Sequence, residues 1–128
     1  AGTATPFHFG AAPLKTDANC RPALSEGMYG AFRPWKELGR TAAVGSYPAN
    51  TWGMRDMHGN VAEWCWDWYE DRPGGGVDLA GPTRGDRRVI RGGSWLLDDV
   101  RCRSASRFGR LPGERSYDTG FRVARTPP

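Results

Sequence analysis

The chain has 128 residues, a formal net charge of +4, 18 glycines and 10 prolines. That length fits one domain, and a mean hydropathy of -0.63 without any long apolar run excludes a membrane-spanning helix. A hydrophobic fraction of 38 % with six tryptophans excludes a disordered chain, and the glycines and prolines predict short elements joined by turns.

Residues 1–50 show almost no hydrophobic periodicity. We predict long loops that are attached to the core by irregularly spaced aromatic side chains: Phe7, Phe9, Tyr29, Phe32, Trp35 and Tyr47. The first six residues carry neither a basic nor an apolar leader pattern, so no signal peptide is predicted, which slightly favours a cytoplasmic location.

The remaining sequence predicts several short strands. Residues 56–62 are a weak helix candidate that Gly59 shortens, and residues 61–68 alternate in a way that predicts a strand with one aromatic face. A loop at 71–76 precedes a second strand at 88–91, and the glycines at 92 and 93 predict a bulge or a close backbone approach. Residues 101–106 predict a third strand, residues 107–119 an exposed loop, and residues 121–124 a final strand.

The basic residues are nearly all arginines, and many stand beside acidic residues or glycines. Arginine suits bidentate pairs that hold loops in place, whereas a nucleic-acid surface usually mixes lysine and arginine along a stripe. The pattern therefore indicates that the arginines hold loops in place through ion pairs, and no nucleic-acid partner is predicted.

Cysteine and histidine provide no obvious metal or disulfide pattern. Three cysteines without a C-x-x-C spacing predict neither a zinc site nor a disulfide framework. Cys65 is predicted to be a buried apolar residue, and a pairing of Cys65 with Cys102 stays open. His8 and His58 lack neighbours at a metal-ligand spacing, so we expect them to be structural or exposed.

Two carboxylates flank a predicted turn. Asp56 and Glu63, with the chain bending at Gly59, could wrap a hard cation with side-chain and carbonyl oxygens. Two acids are few for calcium, however, so the residues alone favour ion pairs with arginines or capping of turns.

The segment 95–118 mixes apolar residues with loop-forming ones. Leu96, Leu97, Phe108, Leu111 and Tyr117 are surrounded by glycine, proline and arginine. Apolar side chains on one exposed face would indicate a partner site, and inward-facing ones would form the core. The composition is equally compatible with both.

Four motifs together resemble one enzyme family, that of the formylglycine-generating enzymes, or sulfatase-modifying factors. They are residues 52–64 (WGMRDMHGNVAEW), 91–95 (RGGSW), 103–107 (RSASR) and 120–122 (GFR). The resemblance implies an α+β, loop-rich variant of the C-type lectin fold with short antiparallel strands. It also implies that residues 1–128 are the C-terminal part of a single domain, either as a proteolysed fragment or as one piece of a two-chain domain. In the second case, a chain carrying the N-terminal half is an expected partner.

The resemblance carries different implications for two metals. Oxidase members of the family bind copper through two cysteines, and the corresponding positions here hold Asp99 and Ser104, with Cys102 out of register. No copper is therefore expected, because Cu(I) needs soft thiolate ligands. The family's calcium ligands correspond to the Asp56 and Glu63 side chains and the Gly59 and Val61 carbonyls, which makes structural calcium the favoured expectation.

The C-terminal part is also similar to the variable proteins of diversity-generating retroelements, which use this fold for display. Their varied positions lie between frame residues, and the corresponding positions here are Leu96, Leu97, Asp98, Ser106, Phe108, Gly109, Leu111, Glu114, Ser116, Tyr117 and Asp118. Trp95, which belongs to the frame, is also expected to contact the ligand. The leading prediction is therefore a non-catalytic display module that binds a protein or another macromolecular ligand through residues 95–118. The alternative is a sulfatase-modifying oxidase of the formylglycine-generating type or a sulfoxide-synthase-related domain.

Overall fold

The computed structural model describes residues 2–11, 16–22, 38–76 and 81–125. Within them, four short strands form one sheet: β1 (Ala62–Trp68), β2 (Arg88–Arg91), β3 (Phe108–Arg110) and β4 (Thr119–Gly120). One turn of 3₁₀ helix spans Asp99–Cys102. The predicted aromatic anchors at 29, 32 and 35 lie outside the described residues. This loop-rich architecture confirms the predicted fold class.

The strand order in the sheet is β3-β2-β1-β4. β1 pairs with β2 and β2 pairs with β3 in antiparallel fashion, whereas β4 pairs parallel with β1, opposite Ala62 and Glu63. The sheet is therefore mixed rather than wholly antiparallel, because the chain leaves β3 through a long loop and returns along the far side of β1.

The first two predicted strands are confirmed, while four local predictions are wrong. Residues 101–106 do not form a strand, because the Asp98 side chain accepts a hydrogen bond from the Arg101 amide (3.1 Å) and starts the 3₁₀ helix. Residues 56–62 form no helix, since Asp56 and Asn60 adopt positive φ angles of 56° and 64°. The loop predicted at 107–119 contains β3, and the strand predicted at 121–124 is replaced by β4 just before it.

β1 carries the predicted aromatic face. Trp64 and Trp68 are half-buried on it, while Trp66 exposes 89 % of its surface. The Arg88 guanidinium lies over both neighbouring indoles, 3.5 Å from the Trp68 ring centroid and 5.2 Å from that of Trp66. These cation–π contacts join β2 to the outer face of β1.

The buried interior combines a small apolar cluster with many polar groups. Phe7, Ala18, Cys20 and Cys102 form the cluster, and Phe9 packs against it. The polar and charged residues that are buried beside it and under the sheet are Asn19, His58, Asn60, Ser94, Asp99 and Asp118. Within the described ranges, the hydrogen bonds of these polar groups therefore help to hold the loops in register.

Gly92 and Gly93 provide the predicted close approach. Both have positive φ angles, and a Cβ added at Gly93 would lie 2.8 Å from the Cα of Cys102 and closer still to its sulfur. The chain can therefore turn tightly out of β2 and lie against the 3₁₀ helix only because these positions lack side chains.

Candidate binding site

The turn that precedes β1 is held together by Asn60. Its side-chain oxygen accepts hydrogen bonds from the Ala42 amide (2.8 Å) and the Asn19 side chain (3.2 Å). Its backbone N–H donates to the Asn19 backbone carbonyl (2.7 Å), and its backbone carbonyl accepts from the Trp95 backbone N–H (3.0 Å). One buried asparagine in the left-handed region thus joins three separate loops to the start of the sheet.

A cavity of about 440 Å³ lies beside this turn, and it is lined by three of the four predicted metal ligands but not by Gly59. Asp56, Val61 and Glu63 line it. One Asp56 oxygen accepts from the Gly45 amide (2.6 Å), and the other, Oδ1, is buried without a hydrogen-bond partner. A buried carboxylate oxygen without a partner is costly, so the turn has room and chemistry for an added donor or cation.

Arg122 enters the same cavity and was not predicted as part of the site. Its guanidinium forms a two-pronged ion pair with Glu63 and donates to the Arg55 and Asp56 carbonyls (3.2 and 3.3 Å). The sequence contains the signal, since Arg122 belongs to the GFR motif. Among the described residues, no group of three or more His, Cys, Asp or Glu side chains is placed to hold a metal, so calcium would depend on main-chain carbonyls as well.

His58 is a structural residue, as predicted. Its Nδ1 lies 2.7 Å from the Cys102 carbonyl oxygen, and its Nε2 accepts from the His8 amide (3.3 Å). These partners require a neutral ring with the proton on Nδ1. Burial lowers the pKa of His58, and the nearby His8 ring lowers it further, against the opposing effect of the Cys102 carbonyl.

Asp118 fixes the far end of the predicted ligand-binding segment. Its buried carboxylate accepts hydrogen bonds from Ser94 (3.1 Å), Ser116 and Thr119 (3.2 Å) and faces Arg110 at 3.3 Å. Burial alone would raise the pKa of this carboxyl, but the Ser116 bond and the Arg110 charge outweigh burial and lower the pKa. The ionised Asp118 carboxylate therefore joins the two ends of the segment, since it binds Ser94 just before the segment begins and Ser116 close to where it ends.

Between its ends, the segment places the predicted ligand-binding residues at three depths. Leu111, Glu114 and Tyr117 are exposed, and Asp118 is buried. The half-buried positions are Trp95, Leu96, Leu97, Asp98, Ser106, Phe108, Gly109 and Ser116. Leu111 exposes 50 % and Tyr117 exposes 72 % of its surface, and none of the five apolar residues that defined the segment joins the apolar cluster.

Aromatic contacts support the exposed part of the segment. The Tyr117 ring tilts against the Trp95 indole at 5.8 Å between centroids, and Trp95 Nε1 is buried without a hydrogen-bond partner. Phe108 lies under the Arg101 guanidinium, 6.0 Å from it. Tyr117 is therefore an exposed aromatic residue on a partly buried aromatic base.

Comparisons with known proteins agree with this architecture. Residues 12–127 match the family model described as sulfatase-modifying factor enzyme 1-like domain. The chain is 44 % identical over 98 residues to the serine/threonine-protein kinase pkn1 of Chlamydia caviae, covering 66 % of this chain and 15 % of that protein. It is also 44 % identical over 92 residues to the formylglycine-generating enzyme of Streptomyces coelicolor, covering 66 % of this chain and 29 % of the enzyme.

A solved structure extends the similarity to the fold. Treponema denticola variable protein 1 superposes with a TM-score of 0.59 at 32 % identity, covering 91 % of this chain and 45 % of that one. The chain thus spans less than half the length of each of these relatives. Across the described ranges, none of the helices has the length and apolar character needed to cross a bilayer.

Proposed function

The chain belongs to the sulfatase-modifying factor enzyme 1-like family, and from that premise we propose that it is a non-catalytic binding module. In this proposal, residues 95–118 contact a protein or another macromolecular ligand. The similarity to a variable protein of Treponema denticola supports the proposal, since it matches the sequence resemblance to display proteins.

One observation carries the proposal: apolar side chains stand exposed on a segment whose two ends are fixed by buried polar groups. Leu111 and Tyr117 project from the segment, while Ser94 and Asp118 hold its base through a direct hydrogen bond. Exposed aromatic and apolar anchors supply most of the affinity of a binding surface, and a fixed base lowers the entropy lost on binding. In this proposal Asp118 holds the segment in place, because its carboxylate is buried and already hydrogen-bonded within the chain.

A randomised library tests this proposal. Leu96, Leu97, Phe108, Leu111 and Tyr117 would be varied together and selected against purified lysozyme as the target. We expect binders whose melting temperatures stay near that of the parent chain. Loss of folding across the library, or failure to obtain a binder while a control antibody-fragment library succeeds, would contradict a display role.

The alternative is a sulfatase-modifying oxidase, and the 44 % identity to a formylglycine-generating enzyme favours it. An assay with a sulfatase-derived peptide separates the two proposals. We expect the peptide's cysteine to remain unchanged by mass spectrometry. Conversion of that cysteine to formylglycine would establish the oxidase instead.

The proposal includes a structural calcium ion at the turn before β1. The Asp56 side chain would hold it together with the Glu63 side chain and the carbonyls of Gly59 and Val61, and its charge would satisfy the unpartnered Asp56 oxygen. When bound, calcium would supply a positive charge that ties the turn to β1.

Thermal unfolding in calcium and in chelator tests the ion. A ligand that binds only the folded state raises the melting temperature with concentration. We expect calcium to raise it for the parent chain and for the surface variant Asp98→Asn, but not for Asp56→Asn. Equal melting temperatures in calcium and chelator would contradict the site.

The proposal also retains a second chain as a partner, which would contact the exposed face of β1. Trp66 on β1 is largely uncovered. Large exposed aromatics at a sheet surface are typical of contact surfaces.

A further inference from the structure

Two of the three cysteines meet in the apolar cluster. Cys20 and Cys102 are both buried there, with 2 % and 0 % of their surfaces exposed, and they belong to the same four-residue cluster. The Cys102 thiol also lies 3.9 Å from the Ser94 carbonyl oxygen. The third cysteine, Cys65, is half-buried on β1, so the structure gives Cys102 a different neighbour from the one left open by the sequence.

Backbone hydrogen bonds fix the two segments that carry these cysteines against each other. The Arg21 amide donates to the Leu97 carbonyl (2.9 Å), and the Asp99 amide donates to the Arg21 carbonyl (2.9 Å). This ladder places the residue after Cys20 alongside the start of the 3₁₀ helix that ends at Cys102. Gly93 packs directly against Cys102. Because Gly93 has no side chain, the Cys102 sulfur can occupy the space that a Cβ would take.

From this arrangement we propose that Cys20 and Cys102 form an intrachain disulfide. Both side chains lie in the same buried cluster, and the disulfide would cross-link the N-terminal loop to the segment that leads into residues 103–118. The inference is independent of the proposed binding function, because it concerns the fixed base of the segment rather than its exposed residues.

The chemistry balances with a low-molecular-weight disulfide as the oxidant. One cysteine thiolate attacks the oxidant, forms a mixed disulfide and releases one thiolate of the oxidant. The second cysteine thiolate then attacks the protein sulfur of the mixed disulfide and releases the other. The two cysteines lose two protons and two electrons in total, and the oxidant is reduced to two thiols.

The disulfide forms more readily when the core is open than when it is closed. The neighbouring Cys20 thiol and burial together raise the pKa of Cys102, so little Cys102 thiolate exists while the core is closed. We therefore expect oxidation during folding or local opening, and slow reduction once the core has closed over the bond.

The experiment refolds the full chain in a glutathione redox buffer and maps the linked peptides by mass spectrometry after alkylation. We expect a Cys20–Cys102 link with Cys65 alkylated, in the parent chain and in Cys65→Ser. The link should raise the melting temperature by several degrees relative to the reduced chain, because a cross-link over a long loop restricts the unfolded chain.

A denatured sample provides the matched control. In concentrated guanidinium, loop closure favours the closer pairs, Cys20 with Cys65 and Cys65 with Cys102, over the most distant pair. Selection of Cys20–Cys102 only under folding conditions would show that the native core directs it. A Cys65–Cys102 link in the refolded chain, or full alkylation of Cys20 and Cys102 in refolded Cys65→Ser, would overturn the proposal.

Discussion

The residues after β2 divide into two regions with opposite environments. The base, formed by Gly93, Ser94, Cys102 and Asp118, is buried and fully engaged in contacts. The tip, residues 111–117, is mostly exposed, and Leu111 and Tyr117 expose 50 % and 72 % of their surfaces. We therefore expect substitutions in the base to cost more folding stability than substitutions in the tip.

Gly93→Ala should produce the largest effect. The added methyl group would collide with the Cα and sulfur of Cys102, at a residue whose φ of +69° already disfavours a side chain. We expect a loss of about 3 kcal/mol or more in the free energy of unfolding. Gly113→Ala at the tip is the matched control, because an added Cβ there meets nothing within 4 Å. Similar urea midpoints for the two variants would break the distinction between base and tip.

Asp118→Asn should produce the next effect. Loss of the charge leaves Arg110 without its buried partner and weakens the bonds from Ser94 and Ser116, at a cost of about 2 kcal/mol. Glu114→Gln, an exposed acid in the same segment, serves as the control and should change stability by less than about 0.5 kcal/mol. Chemical denaturation of both variants at neutral pH measures the difference.

Asp118 also predicts the direction of an acid effect. Its pKa is lowered in the folded chain, so its stabilising contribution is present above its unfolded pKa of about 3.9 and is lost as the pH falls through the folded value. The parent chain should therefore lose stability more steeply below about pH 4 than Asp118→Asn. Parallel acid profiles would contradict this assignment.

His58 predicts a separate loss of stability at milder acidity. Its pKa is lowered below the unfolded value of about 6.5, so the unfolded chain binds a proton more readily and stability falls as the pH drops below that value. Urea midpoints at pH 7.5, 6.5 and 5.5 measure the loss. His8→Gln keeps the backbone amide that faces His58 and should retain most of the effect. A flat profile in this variant would assign the dependence to His8 instead.

Leu111→Ser should produce the smallest effect on folding. Half of this side chain already faces solvent, so we expect a change below about 0.5 kcal/mol in the free energy of unfolding. A thermal melt of this variant beside Val89→Ser, which introduces a hydroxyl at a fully buried position, would sharpen the comparison. A large loss at Leu111 would show that the tip is part of the core.

The sequence predicted the strands that have a clear pattern. Alternation identified β1, and the apolar pair Val89 and Ile90 identified β2 within a single residue of its observed bounds. β3 was missed because Phe108-Gly109-Arg110 is short and contains a glycine, whose open side accommodates the Tyr69 ring. The 3₁₀ helix was missed because its start depends on one hydrogen bond, which the Asp98 side chain accepts from the Arg101 amide.

The candidate site was predicted in outline from motifs rather than from periodicity. The motifs located the turn before β1 and the segment 95–118. They could not separate Asp118 from Tyr117, although one is buried and the other exposed, because neighbouring loop residues have no fixed orientation in the sequence. The Glu63–Arg122 pair was also missed, since its partners are 59 positions apart and meet only through the parallel strand pair.

That parallel pair has a consequence for biosynthesis. β1 has β2 on one side, but its other side stays uncovered until Thr119 and Gly120 have been made. During translation, the tryptophan-rich strand therefore has an open edge that could join a neighbouring nascent chain. The sheet is complete only when these two residues have been made, so a chain truncated before Thr119 would keep this edge open and be prone to aggregation.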